Sequence, residues 1–189
     1  MKILNRCHWV NMKNPAYIEY HDMEWGVPCH DDHKLYEFLI LECFQAGLSW
    51  ECILNKRKNF EAAFDNFDID KVILYDNKKQ EELLANSSII RNKLKIKAAV
   101  TNSIVFKEIQ QEFGSFDRYI WGFSNREIID EEYTIRTTSP LSDKISKDLK
   151  KRGMKFLGST TVYAYLQAIG IINGHGKECD CRIYNENNL

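Results

Sequence analysis

The stretch DDHKLYEFLILECFQAGLSW, Asp31 to Trp50, decides between helix and strand. Leu35, Phe38, Leu39 and Leu41 fall at three- and four-residue steps behind an Asp31-Asp32 cap, and the stripe continues to about Ala46 before Gly47 stops it. That is the period of a helix. Glu42 interrupts the otherwise apolar run LYEFLILECF. A carboxylate on the core side of a helix must find donors or have its pKa raised, because burial without partners costs several kcal/mol. Glu42 therefore either turns to solvent or serves a chemical purpose.

The same period extends outward along the chain. It predicts a helix from Trp50 through Phe64, a short one capped by Asp68 or Asp70 and running through Leu74, and another from Lys79 to Asn86. Asn92 through Phe113 reads as a long helix, Leu141 to Arg152 as one ended by Gly153, and Thr160 to Ile172 as one ended by Asn173-Gly174. No stretch alternates as a strand should, so the fold class is all-α. No repeat or low-complexity block divides the chain. The expected unit is a single domain over 1–189, with one lobe at roughly 1–67 plus 117–189 and a second at roughly 68–116. A soft boundary is expected in the polar stretch Asn125 to Pro140.

With 44% hydrophobic and 28% charged residues and three prolines in 189, the composition is that of an ordinary globular protein. It excludes disordered, collagenous and membrane-spanning classes. The start, MKILNRCHWV, has too short an apolar run for a signal peptide. Six cysteines (7, 29, 43, 52, 179, 181) without an export signal point to metal ligation or free thiols in a reducing cytoplasm.

Four of the metal-binding side chains sit at the two ends: Cys7 and His21, His175 and Cys179. Thiolate sulfur and neutral imidazole are the ligands of a structural zinc site, which fills its tetrahedron and leaves no open position. The three residues between His175 and Cys179 suit a helical turn or a tight loop around an ion. Cys7 and His21 are thirteen residues apart without helical period, so spacing alone leaves open a second reading, a buried thiol and a core histidine. Cys179-Asp-Cys181 is a weak redox motif, because its spacing is not that of CxxC.

The net charge of -1 does not advertise a polyanionic partner. Its distribution does more: Lys144, Lys147, Lys150, Lys151, Arg152 and Lys155 crowd one stretch, Arg91, Lys93, Lys95 and Lys97 a second, and Lys56, Arg57 and Lys58 a third, with acidic residues gathered at Glu127 to Glu132. Such clusters are either solvated helix faces or a stripe that steers DNA to one side of the molecule. Trp9, Tyr17, Tyr20, Trp25 and Trp50 flank Glu42 in sequence. Aromatic faces beside a carboxylate form a slot for a flat cationic ring, although a tryptophan-rich core reads the same way.

Three longer motifs bring a resemblance. YHDMEWGVP (Tyr20 to Pro28), LEC-F-QAGLSW (Leu41 to Trp50) and LKKRGMKFLGSTTVYAYLQAIGIINGH (Leu149 to His175) resemble the bacterial 3-methyladenine DNA glycosylase I family, over a span from Arg6-Cys7 to Cys179 that is weakest between about Glu61 and Ser139. The resemblance implies a helix-hairpin-helix glycosylase fold with a zinc clamp across its termini, and places one structural Zn2+ on Cys7, His21, His175 and Cys179. It implies no redox or nucleotide cofactor. It makes Glu42 the base-recognising acid, Trp50 and Trp9 the stacking walls, and Tyr17 and Tyr20 the edge of the pocket, with Glu42 and Tyr20 as the catalytic pair.

The implied partner is double-stranded DNA containing 3-methyladenine, bound by a monomer without a membrane. The implied reaction flips the base out and hydrolyses its N-glycosidic bond, leaving an abasic site; water is the nucleophile, and no lysine intermediate or catalytic aspartate is involved. A non-catalytic binding module of the same fold and a zinc-stabilised interaction protein are the alternatives. Leu48, beside Gly47, is the candidate to fill the gap left by the extruded base, or else a core leucine. The hairpin is expected near Leu83 to Lys97, with Arg91 and Lys93 on phosphates, although its turn lacks glycine. Cys43 and Phe44 depart from the family pattern, and Phe44 is expected at the pocket rim.

Overall fold

The computed structural model describes residues 4–131 and 136–182. Residues 132–135 of the polar stretch, Glu132 and Thr134 among them, lie outside the described residues, as do the chain ends. Ten α-helices follow one another among the described residues: α1 Pro15–Met23, α2 Asp32–Gln45, α3 Trp50–Leu54, α4 Arg57–Ala63, α5 Ile69–Val72, α6 Asn77–Ala85, α7 Lys93–Phe113, α8 Phe116–Gly122, α9 Pro140–Lys151 and α10 Ser159–Ala168. Eight of them start on an Asn, Asp or Ser whose side chain accepts from a first-turn N–H, which is why the sequence can place so many starts. Only α4 and α10 lack such a cap.

Helix α2 is the axis of the molecule and packs against α3, α7, α8 and α10. Its buried face joins one contiguous core that also takes in Leu83, Ile96 and Phe106 from the middle third and Tyr165 and Leu166 from α10. Lys95, expected on a basic face, is instead buried. Its Nζ donates to the carbonyls of Phe44 (2.8 Å) and Ala46 (2.5 Å), closing the end of α2 with a cation where the helix dipole is negative. Phe44 is not at the pocket rim. It is fully buried against Phe60 and Phe64, with ring centroids at 4.8 and 5.7 Å.

Three further expectations are corrected, and one helix was not foreseen. The segment between Cys7 and His21 contains helix α1, started by Asn14 and Pro15. The helix expected from Trp50 through Phe64 is two helices, divided at Lys56, whose φ of -107 and ψ of 0 leave the helical basin. Helix α8 follows a Ser115 cap that apolar periodicity did not reveal. The last helix stops at Ala168 because Gly170 turns left-handed, and Ile172–Asn173 then pairs in parallel with Ile129–Asp130 as a two-residue ladder, the one strand pairing among the described residues.

Gly170 is where the chain tolerates least. Its φ is +76, and a Cβ there would lie 2.4 Å from the Val27 carbonyl carbon and 2.5 Å from the Pro28 nitrogen. Backbone contacts hold this crossing: Gly26 N donates to Gln167 O and Cys29 N to Ile169 O, each at 3.0 Å. Gly170→Ala is therefore expected to cost more than about 2 kcal/mol, read as a lowered denaturant midpoint, because neither backbone can yield without losing these bonds. An unchanged midpoint would refute the close approach.

Candidate active site

Three helices each contribute two side chains, three residues apart, to a cavity of about 280 Å³: Tyr17 and Tyr20 from α1, Glu42 and Gln45 from α2, Ala164 and Gln167 from α10. That spacing puts both members of a pair on one helical face. Trp9, Trp25 and Trp50 complete the wall, so the sequence-predicted Trp9, Tyr17, Tyr20, Glu42 and Trp50 all meet here. Tyr20 and Trp50 lie 5.1 Å apart by ring centroid, and Trp9 stands edge-on to Trp25 at 4.7 Å and 5.5 Å from Tyr17. The volume suits one planar heterocycle and little more. Gln45, Gln167 and Ala164 were not singled out from sequence; the i, i+3 relation of Gln45 to Glu42 was the available signal.

The polar atoms of the cavity are its most informative feature. Glu42 Oε2 and the indole nitrogens of Trp9 and Trp50 are buried without a hydrogen-bond partner. Glu42 is 2% exposed, which removes the solvent-facing alternative. Burial pushes its pKa up to about 8, so the carboxyl is mostly protonated at neutral pH. Tyr20 is pushed upward as well, by burial and then by the nearby Glu42.

Glu37, five residues earlier on the same helix, shows what a structural buried carboxylate looks like. Arg57 Nε donates to its Oε1 at 2.6 Å and Lys34 Nζ to its Oε2 at 2.9 Å, while the other Arg57 nitrogens fork onto Glu24 at 2.7 and 2.8 Å. Burial alone would raise Glu37, and hydrogen bonds from Arg57 and Lys34 more than offset it. Arg57, read from sequence as part of a basic cluster, is thus internal. Arg57→Met should destabilise the fold by about 3 kcal/mol by leaving buried Glu37 with Lys34 as its one cationic partner among the described residues. Acid should then recover part of the loss, because protonation removes the under-paired charge; denaturation at pH 7 and pH 5 tests both halves.

The segments around Asn5 and Asp180 meet beside this pocket. Backbone and side chain of Asp180 pair with Asn5, each contact at 2.9 Å. Ligand atoms of Cys7, His21, His175 and Cys179, all buried, lie within 4.8 Å of one another. The Sγ to N separations are 3.6 Å for Cys7 to His175 Nδ1, 3.4 Å for Cys179 to His175 Nδ1, and 3.6 Å for Cys179 to His21 Nε2. A tetrahedral zinc with Zn–S near 2.3 Å and Zn–N near 2.0 Å has such edges at about 3.6 Å.

The outward nitrogens are anchored too. His21 Nδ1 faces Asp22 Oδ1 at 2.9 Å and His175 Nε2 faces the Trp25 carbonyl at 3.0 Å, which leaves the inward nitrogens as lone pairs. Hydrogen bonds from Cys181 and Cys7 favour the Cys179 thiolate, whereas the bond to Cys179 raises Cys7; a divalent cation would favour both as thiolates. The donor set fits zinc.

Leu48 is 40% exposed on the turn after α2, so it is not a core residue. Arg91 and Lys93 are exposed at the start of α7, in the turn joining α6 to α7. A second helix–turn–helix joins α9 to α10 through residues 152–158, and this one carries glycines, Gly153 with φ of +108 and Gly158 at the N-cap of α10. Among the basic residues of α9 and its turn, Lys144, Lys147, Lys150, Lys151 and Lys155 are exposed, while Arg152 is engaged by Glu112 and Asp148. No helix among the described residues is long and apolar enough to cross a membrane.

Comparison with known proteins gives the same direction. The family model for methyladenine glycosylase matches residues 9–183. DNA-3-methyladenine glycosylase 1 of Escherichia coli (strain K12) is 41% identical over 182 residues, covering 94% of this chain and 97% of the relative. The solved structure of 3-methyladenine DNA glycosylase I from Staphylococcus aureus superimposes with a TM-score of 0.90 at 34% identity, covering 95% of this chain and 97% of that one. A Tyr-to-Phe variant of a 3-methyladenine DNA glycosylase I, solved in complex with 3-methyladenine, gives a TM-score of 0.87 at 34% identity, with 90% and 94% covered.

Proposed function

The chain belongs to the methyladenine glycosylase family, and we propose that it excises 3-methyladenine from duplex DNA by hydrolysing the N-glycosidic bond. The observation that carries this reading is the set of orphaned atoms in the cavity: a carboxylate oxygen and two indole N–H groups buried without partners. Such a set is costly unless a ligand completes it. A 3-methyladenine nucleoside is cationic and planar, offers an amino edge to Glu42 and ring nitrogens to N–H donors, and stacks on Trp50, Trp9 and the tyrosines. Neutral adenine lacks the charge that pulls Glu42 into its ionised form.

The chemistry asks little more of the protein. The cationic purine departs with the electron pair of the C1′–N9 bond and leaves as the neutral base, water adds to C1′ and its proton passes to solvent. Glu42 and the aromatics act by orienting the base and by electrostatic complementarity to its charge, with Tyr17 and Tyr20 shaping the edge. Cys7, His21, His175 and Cys179 would hold a structural zinc, which would supply stability and fix the neighbouring pocket wall rather than take part in bond breaking. Double-stranded DNA is the partner. Leu48 fills the space of the extruded nucleotide, Arg91 and Lys93 meet phosphates, and the uncapped first turn of α10 offers N–H groups to the backbone.

The deciding experiment incubates the protein with methylated duplex DNA and separates released bases by chromatography. Free 3-methyladenine is expected. Retention of the DNA with no base released would favour the non-catalytic module instead.

A further inference from the structure

We propose that Phe156, on the turn that leads into α10, is a second apolar contact on the duplex in addition to Leu48; the inference rests on the reading of the base pocket as a DNA-base site. Phe156 is 37% exposed with φ of +58, a conformation that a bulky L-residue rarely adopts. Something holds it there. Buried Asn102 on α7 grips the preceding residue from both sides: its Nδ2 donates to Lys155 O at 3.0 Å and its Oδ1 accepts from Lys155 N at 2.7 Å. On the other flank, Ser146 Oγ donates to Leu157 O at 2.7 Å. A fixed backbone on both sides thus presents one aromatic ring outward in a strained conformation, which is the kind of outlier that marks a working surface.

The position fits the duplex. Cys43 Sγ lies 3.7 Å from Lys155 O and 3.2 Å from Asn102 Nδ2, so the 152–158 turn rests on α2 one helical turn before Gly47 and Leu48. The same turn leads directly into α10, whose Ala164 and Gln167 line the pocket. Leu48 follows the end of α2 and Phe156 sits on the turn that rests on α2, and the exposed Lys150, Lys151 and Lys155, close to Phe156 in sequence, supply the positive charge that draws the phosphate backbone in. No ring contact ties Phe156 to another aromatic among the described residues. A base or sugar face is the apolar partner that its setting offers.

The test compares wild type with Phe156→Gly, which relaxes the backbone, Phe156→Asn, which replaces the ring with a polar side chain tolerant of that φ, and Phe156→Tyr, which keeps the ring. Binding to a duplex containing a tetrahydrofuran abasic analogue is expected to weaken about tenfold in the Gly and Asn variants and to recover in Tyr. The salt dependence should keep its slope, because no charge is lost. Binding of free 3-methyladenine should be unchanged, showing that the pocket stands. Unchanged duplex affinity in the Gly and Asn variants would overturn the proposal, as would a parallel loss of free-base binding, which would make Phe156 merely structural. Failure of the wild type itself to bind the base or the duplex would instead strike the underlying reading of function.

Discussion

Glu42→Gln is expected to reduce 3-methyladenine release by about a hundredfold in kcat/KM while making the empty protein more stable above pH 8. The two effects have one cause. A buried carboxyl that accepts from a cationic base loses its charge on amidation, and removing one member of a desolvated charge pair costs roughly 2–5 kcal/mol. Without ligand the same carboxylate is a burden, since its pKa stands at about 8 rather than 4.5. The proton-bound native state contributes stability that is fully present below about pH 4.5 and is lost as the pH rises through 8, at about 1.4 kcal/mol for each pH unit. Glutamine never meets that cost.

The pH profiles should therefore run in opposite directions. For wild type, log kcat/KM on methylated duplex rises with pH and levels near 8, where the free enzyme's Glu42 ionises; for Glu42→Gln it stays flat and low. Thermal midpoints of the two proteins should converge near pH 4.5 and separate in favour of the variant as the pH rises. Equal excision rates in the two proteins would remove Glu42 from recognition. A flat wild-type profile with a hundredfold defect would mean that Glu42 is already ionised in the free protein.

Local signals made much of this fold readable in advance. Helices α2, α7 and α9 combine a side-chain cap, a steady apolar period and a glycine just beyond or near the end. Helix α1 hid because its apolar residues serve the pocket and the cluster as well as the core. The end of α10 hid because Ala168-Ile169 and Ile171-Ile172 are apolar on both sides of Gly170, so a helix and a buried strand read alike there. Arg57 and Lys95 looked like surface charge because their partners, Glu24, Glu37 and the carbonyls of Phe44 and Ala46, are 20 to 51 residues away in sequence. Glu42 was legible because a carboxylate breaks an apolar run, whereas Gln45 and Gln167 are amides of a kind that occurs on any surface. Their role depends on which face their helix turns inward.

Removing the proposed zinc from the Cys7, His21, His175 and Cys179 set is expected to lower the thermal midpoint by more than 10 °C, and Cys179→Ser should do nearly the same. Zinc of this type contributes on the order of 10 kcal/mol in small domains, and here it would link the segments of Cys7 and His21 to those of His175 and Cys179. At about 2–4 °C per kcal/mol for a chain of this size, even half of that is a large shift. The pocket should follow, because the ligands and the walls share contacts: the Trp25 ring lies 4.6 Å from the His175 ring, Trp9 lies 5.2 Å from His21, and Tyr20 precedes His21 on α1. Tryptophan emission should therefore change as the chelator acts, and base release should fall with it, while a preparation restored with zinc regains both. One zinc per chain by elemental analysis is the companion measurement. Loss of base release with emission and midpoint unchanged would make the ion a participant in the reaction and overturn the structural assignment; a metal-free preparation with unchanged midpoint would show that the ends need no clamp.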